Sequence, residues 1–463
     1  MTLTTKQCEF FTNILGERFF TDVERTKIYA LDWTKNYTAN ASAVVLPQTT
    51  EEVSRILAFC NAEKIAVVPS GGRTGLAAAA VAHKGELVLS LERMNKILKI
   101  DLVGMYAEVE AGVLTQTLQE KALENGAFFA LDLASKGSCQ IGGNIATNAG
   151  GLKLIRYGGM REQVLGIEAV LADGRVLDMN TTLRKNNTGY DLKQLFIASE
   201  GTLGVITKAS LRLVPQPKAL NLACLALKKF EDILAVLELV HKERQTITAF
   251  EFFSQAALDR VCYAQKKSSP FDTSYPYYAL LEIEQEQSSL EGFENLLSKF
   301  FEQELVADGV LATSQSEFHR LWSYRELISE SVTVGNHVYK NDIALPVEEL
   351  ARFVAELDLV LAKAPSDIKM IIFGHIGDGN IHLNYLSGKL EDFSEFMKKT
   401  KKLEADVFSL LKKYRGSISA EHGIGLLKKN ELSVSKSDLE VDYMRQIKAI
   451  FDPNGILNPG KVF

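Results

Sequence analysis

The chain has 463 residues, too many for one compact core, so two or three domains are expected. Its composition, 46% hydrophobic and 24% charged, is that of an ordinary soluble globular protein. A net charge of −6 without a long basic run excludes nucleic-acid or anionic-membrane binding as a main role.

The first forty residues read as a polar helical segment, with Trp33 and Tyr37 available for packing. An α/β pattern follows. Residues 42–46 form a short apolar strand stopped by Pro47. Thr49-Thr50-Glu51-Glu52 predicts a capping box, in which the Thr49 hydroxyl and the Glu52 carboxylate satisfy free amides at a helix start. Val53, Ile56, Leu57 and Cys60 continue at helical spacing, and a strand at 65–68 ends at Pro69. This strand–helix–strand unit delivers the glycine loop 71–75. Strands are predicted at 87–91 and 106–110, and a second glycine-rich stretch covers 137–151. A hairpin over 164–176 turns at Asp173-Gly174. A helix at 191–197 leads to a turn and strand over 200–206. Pro215 and Pro217 mark a linker. Beyond it, helices at 230–243, 290–305 and 317–332 alternate with strands at 277–284 and 337–345. That alternation predicts an α+β domain with an antiparallel sheet.

The five cysteines (Cys8, Cys60, Cys139, Cys224, Cys262) are scattered, odd in number and without CxxC spacing. They argue for a reducing compartment and against a disulfide framework or a cysteine metal site. No charged-then-apolar leader opens the chain, and no apolar run is long enough to span a bilayer, so the expected location is the cytoplasm.

Glycine lets backbone amides approach an anion closely, because no Cβ intervenes. One glycine loop alone is more simply a tight turn. Three of them within about 80 residues, at 71–75, 137–144 and 148–151 and poor in acidic residues, read as a diphosphate cradle. The Walker A pattern and the G-x-G-x-x-G dinucleotide fingerprint are both absent, which disfavours a nicotinamide-binding fold.

Three of the seven histidines fall in two patches, Gly374-His375-Ile376-Gly377-Asp378-Gly379-Asn380-Ile381-His382 and Ala420-Glu421-His422-Gly423. Imidazole with carboxylate is the ligand set of a borderline divalent metal. Glycine-rich sequence around His375 argues against a helix; a loop leading into a strand at 381–386 suits it better. On that strand His382 and Asn384 point to the same side, and His375 is expected to reach back from the loop. Glu421 would complete a His375/His382/Glu421 set, leaving positions open for substrate. Zinc stands first among the metals, and manganese, iron and cobalt suit the same ligands. The plainer alternative, buried and hydrogen-bonded polar groups, is outweighed by Asp378 and His422 alongside.

The runs 69–75, 136–151 and 187–207 resemble the FAD-binding domain of the vanillyl-alcohol oxidase / p-cresol methylhydroxylase superfamily. With 375–384, Glu421-His422-Gly423 and Asn458-Pro459-Gly460-Lys461, the resemblance narrows to the FAD-dependent D-2-hydroxyacid dehydrogenases and covers nearly the whole chain. It implies an α+β protein: a two-subdomain FAD-binding domain, an α+β substrate domain with an antiparallel sheet, and a C-terminal segment returning to the FAD domain. The expected boundaries are 1–40 for the helical segment, 41–216 for the FAD domain, 217–420 for the substrate domain and 421–463 for the returning segment.

The resemblance implies FAD contacts at Pro69, Ser70, Gly71, Gly72, Arg73, Thr74, Gly75, Leu76, Gly137, Ser138, Gly142, Gly143, Asn144 and Thr147. It implies further ones at Gly150, Gly151, Glu200, Gly201, Gly204, Ile206 and Asn458. Some members of the superfamily attach FAD through a histidine just after the glycine pair; Arg73 stands there instead, so a non-covalent flavin is expected. Ala77 to Ala80 replace expected glycines. Taken singly, Arg325, Ser329 and Lys340 read as salt-bridged surface. As a pattern they resemble a substrate carboxylate clamp, in which threonine is more usual at Ser329. Arg325 and Ser329 are expected to share a helix face, and Asn384 is expected beside the substrate.

The implied reaction is oxidation of a D-2-hydroxy acid to the 2-oxo acid, with D-2-hydroxyglutarate first and D-lactate or malate as alternatives. Hydride would pass from C2 to flavin N5, with His422 as the base that takes the hydroxyl proton. Electrons would then pass to electron transfer flavoprotein or quinone, and a homodimer is compatible. A flavin-free metal hydrolase and a non-catalytic FAD-binding subunit are the rivals from other classes.

Overall fold

A computed structural model of the protein describes residues 2–34, 36–286, 290–387 and 392–463. The chain divides into two compact units. The first comprises Met1–Gly151, Tyr157–Gln216 and Glu421–Phe463; the second comprises Leu152–Arg156 and Pro217–Ala420. The short segment 152–156, placed in the FAD domain on sequence grounds, thus groups with the second unit.

In the first unit, among the described residues, a four-stranded sheet is ordered Phe19–Phe20, Ala41–Val45, Glu86–Ser90, Val67–Ser70, the last three parallel. The helix Thr50–Glu63 makes the crossover and buries Val53, Ile56, Leu57 and Cys60. Thr49 caps it by accepting from the Glu52 N–H at 3.2 Å. The expected reciprocal bond is absent. The Glu52 carboxylate instead takes two hydrogen bonds from Arg18, at 2.6 and 2.7 Å, and one from the Gln48 N–H. A charged fork is a stronger partner than one amide, so the long-range contact wins. Trp33 is 66% exposed and does not pack as expected.

A five-stranded antiparallel sheet, ordered Ile97–Asp101, Tyr106–Glu110, Val205–Arg212, Val164–Val170, Val176–Met179, shares one apolar core with the first sheet through Leu57, Leu87, Val109, Ile145 and Ile167. Residues 421–463 return to this unit. Val67 donates its N–H to the Ile456 carbonyl and accepts from the Asn458 N–H at its own carbonyl, at 2.7 Å each, and Gly425 packs where a Cβ would lie 1.9 Å from the Ala77 carbonyl oxygen.

The second unit is built on an antiparallel sheet. Among the described residues its strand order is Asp308–Leu311, Ala219–Leu227, Tyr277–Gln285, Thr246–Ser254, Ile368–His375, Asn380–Ser387, Val338–Ala344. Four of these strands, Asp308–Leu311, Ala219–Leu227, Thr246–Ser254 and Ile368–His375, escape the sequence reading, the first because it is only four residues long. In the other three, burial on both faces removes the alternation that marks a strand. The helix expected over 317–332 is broken at Leu327 into Gln315–Glu326 and Ile328–Ser331. Its apolar residues Leu321, Trp322 and Ile328 pack with Phe253, Tyr278 and Phe373 of the sheet. Lys153, from the segment 152–156, pairs with the buried Glu282, which also accepts from the Trp322 indole at 3.0 Å.

Candidate functional site

In the first unit a cavity opens where the strand Val67–Ser70 ends. It is lined by 69–75, 142–144, Cys139, Gln140, Thr147, Glu200, Gly201, Gly204, Ile206 and Asn458. Arg73 (φ 57°) turns the first loop. Gly72 has no room for a side chain, since a Cβ would sit 2.1 Å from the Ser138 carbonyl oxygen. That contact lets the two glycine loops approach each other closely. Leu76, Gly137, Ser138, Gly150 and Gly151 do not line it. Ser138 backs Gly72 from behind, and the Gly151 N–H donates to Glu421 Oε1 at 2.8 Å. Ala79 and Ala80, from the run that replaces expected glycines, also line it; the apolar lining residues Leu91, Ala111, Ala146 and Val205 carry no sequence signal.

The cradle suits a flavin nucleotide. Gly71, Gly72, Gly75, Gly142 and Gly143 line it, and the buried Ser70 Oγ, Gln140 Oε1 and Asn458 Oδ1 have no hydrogen-bond partner among the described residues. The Asn458 amide donates to the carbonyls of Ala79 (3.0 Å) and Glu200 (2.6 Å), so its nitrogen is engaged and its oxygen is left over. Arg73 donates to the Gly71 carbonyl at 3.2 Å and lies 4.7 Å over the Tyr29 ring. Burial pushes Glu200 up to about 7, although the N–H groups of Ile424 and Gly425 donate to its oxygens at 2.7 and 2.9 Å.

Lys461, at the end of the Asn458-Pro459-Gly460-Lys461 motif, is 1% exposed and its ammonium has no hydrogen-bond partner among the described residues. Burial pushes it down to about 8, against the opposing pull of Glu86. A lowered lysine pKa makes the fold less stable as pH falls from the unfolded value through about 8. The full penalty, about 3 kcal/mol, is then present at pH 7. Lys461→Met should therefore raise the denaturation free energy by up to that amount at pH 7 and by only about 1 kcal/mol at pH 9.5. Equal gains at both pH values in denaturant titrations would show that the amine is not the cause.

In the second unit the glycine-flanked histidines lie on one face of the sheet. Glu251 is opposite His375, Phe373 opposite His382, and His382 opposite Asp342, while Asn384 faces Lys340. Opposed residues share a face, so Glu251, His375, His382, Asn384, Asp342 and Lys340 all do. His375 is the last residue of a strand rather than part of a loop. Its partner across the hairpin is Asn380, and the turn closes at Gly379 (φ 81°). The His375 and His382 Nε2 atoms are 3.4 Å apart. Each ring has a carboxylate at Nδ1: Glu251 Oε1 at 2.7 Å from His375 and Asp342 Oδ1 at 3.3 Å from His382. Two nitrogens on one tetrahedral cation lie about 3.3 Å apart, so the pair fits a divalent metal.

Arg325 reaches the same face, its guanidinium 4.8 Å over the Phe373 ring. It is 5% exposed, and Nη2 is 2.7 Å from Glu251 Oε2 in ionic contact without hydrogen-bond alignment. Its Nε and Nη2, like Asn384 Nδ2, are buried donors without a hydrogen-bond acceptor among the described residues. Ser329 does not share the Arg325 environment: past the break at Leu327 it is exposed, and Lys340 donates to its carbonyl at 3.2 Å. Burial pushes Lys340 down. Glu251 went unnoticed in the sequence because it lies on an unrecognised strand with no motif around it. Glu421 and His422 belong to the first unit. They are the two residues after Ala420, whose N–H donates to the Asp342 carbonyl at 3.2 Å.

Residues 41–180 match the family described as FAD binding domain, and residues 216–462 that described as FAD linked oxidases, C-terminal domain. A D-2-hydroxyglutarate dehydrogenase of Stutzerimonas stutzeri is 44% identical over 458 residues, covering 98% of each chain. The mitochondrial D-2-hydroxyglutarate dehydrogenase of Arabidopsis thaliana is 41% identical, covering 99% of this chain and 82% of that one. Among solved structures, p-cresol methylhydroxylase with substrate bound has a TM-score of 0.79 at 19% identity, covering 99% of this chain and 96% of that one. Alkyldihydroxyacetonephosphate synthase has a TM-score of 0.74 at 17% identity, with 99% and 86% covered; at such identities the likeness is one of fold. Among the described residues no helix is long and apolar enough to cross a membrane. The chain belongs to the FAD-linked oxidases, as a member of the D-2-hydroxyglutarate dehydrogenase family of FAD-dependent D-2-hydroxyacid dehydrogenases.

Proposed function

We propose that the protein oxidises D-2-hydroxyglutarate to 2-oxoglutarate with a non-covalent FAD and a divalent cation, zinc first. Bound FAD supplies the two-electron acceptor, and a bound cation supplies Lewis acidity at the substrate hydroxyl. His375 and His382 offer their Nε2 lone pairs to the cation, because the carboxylates of Glu251 and Asp342 hold the Nδ1 sides. Glu421 serves as the third ligand and His422 as the base taking the hydroxyl proton. Their place in the chain, directly after Ala420 and its bond to Asp342, supports both roles. Arg325, Asn384 and Lys340 receive the carboxylates, with Ser329 supporting Lys340 through its carbonyl. Arg73, which cannot act as a nucleophile, supports the non-covalent flavin. The resemblance to flavin dehydrogenases supports electron transfer flavoprotein or quinone as the acceptor.

The observation that carries this reading is the one sheet face that presents both converging imidazole nitrogens and the idle buried donors of Arg325 and Asn384. Buried N–H groups without acceptors are costly, and a second substrate carboxylate would satisfy them. D-Lactate, the alternative substrate, has no such group. Arg325→Lys keeps the charge beside Glu251 but loses the planar fork. It should lower kcat/KM for D-2-hydroxyglutarate by 10- to 100-fold, about 1.4–3 kcal/mol, and leave that for D-lactate within about threefold. Equal losses on both acids would remove the clamp from this reading.

A further inference from the structure

Glu251 touches both halves of the site in the second unit. One oxygen, Oε1, accepts from His375 Nδ1 at 2.7 Å; the other, Oε2, lies 2.7 Å from Arg325 Nη2. The side chain is 1% exposed, so its charge must be compensated within the protein. A carboxylate facing a single arginine in a dry interior normally takes two parallel hydrogen bonds from the fork. Here it does not. The Arg325 Nε and Nη2 atoms and Glu251 Oε2 all lack aligned hydrogen bonds, while Oε1 is turned to the imidazole. A carboxylate can only accept, so Nδ1 of His375 carries the hydrogen and Nε2 presents its lone pair toward His382 Nε2.

We propose that Glu251 is a positioning residue shared by the metal site and the carboxylate clamp: it sets the His375 tautomer with one oxygen and holds the Arg325 guanidinium by charge with the other, leaving the arginine's donors for the substrate. This rests on the metal and dicarboxylate reading given above. Glu251 anchors both from a third strand, Thr246–Ser254, next to the strand carrying His375. A change at this one residue should therefore disturb both zinc affinity and the preference for a dicarboxylate.

Glu251→Gln is isosteric and removes the charge. In the flavin-loaded enzyme without substrate, chelator competition should show zinc bound 10- to 100-fold more weakly than by wild type. In steady state, kcat/KM for D-2-hydroxyglutarate relative to D-2-hydroxybutyrate should fall at least about tenfold, through KM for the dicarboxylate. Glu251→Asp, which draws the carboxylate back by one methylene, carries the same two readouts should the amide variant fail to fold. Zinc affinity within twofold of wild type, or equal losses on the two acids, would overturn the shared role. Failure of the wild-type enzyme to bind zinc at all would overturn the metal reading itself, and this inference with it.

Discussion

His422→Ala should keep its FAD and lose about 10³-fold in the rate of anaerobic flavin reduction by D-2-hydroxyglutarate, within the range that a positioned general base contributes. The residue lies between two anchors in the first unit. On one side, Glu421 Oε1 accepts from the Gly151 N–H; on the other, the amides of Ile424 and Gly425 are bonded to Glu200. Gly423 between them adopts φ 79°. A chain anchored on both sides presents an imidazole in one place, as abstraction of the proton from a fixed substrate hydroxyl requires. A neutral imidazole can take a proton near pH 7, where an unperturbed lysine or arginine is already protonated. The cavity proposed to hold FAD is lined by 69–75, 142–144, Ala146, Thr147, Glu200, Gly201 and 204–206, so the variant's yellow colour and FAD content should match wild type. Stopped-flow reduction within threefold of wild type would remove His422 from the reaction.

Removal of the cation should be at least as damaging. Dialysis against a chelator, with FAD retained, should slow flavin reduction by at least about 10³-fold, and zinc should restore it, with manganese or cobalt able to substitute. The converging His375 and His382 Nε2 atoms carry this expectation. At 3.4 Å two lone pairs repel unless a cation or a proton lies between them. The carboxylates behind both rings favour the tautomers that point lone pairs inward. Fully demetallated enzyme that reduces its flavin at the wild-type rate would defeat the metal-assisted mechanism.

The parts of the site most legible in the sequence were those made of contiguous chain. A loop such as 71–75 bends because of its own glycines, and the His375–His382 run makes its own hairpin turn at Gly379. Groups supplied by separate elements were harder. The capping-box reading of Glu52 failed because Arg18, over thirty residues away, is the stronger partner. Ser329 failed as a face-mate of Arg325 because the helix breaks at Leu327, two residues before it.

Local residue order therefore determined the glycine loops and the imidazole hairpin, since turn chemistry acts over a few bonds. Only the folded sheet decided that Glu251, His375, His382, Asp342 and Lys340 share a face, and that Arg325 lies over Phe373. That outcome depends on strand order and register, which are set by burial across the whole core rather than by any neighbour in the chain.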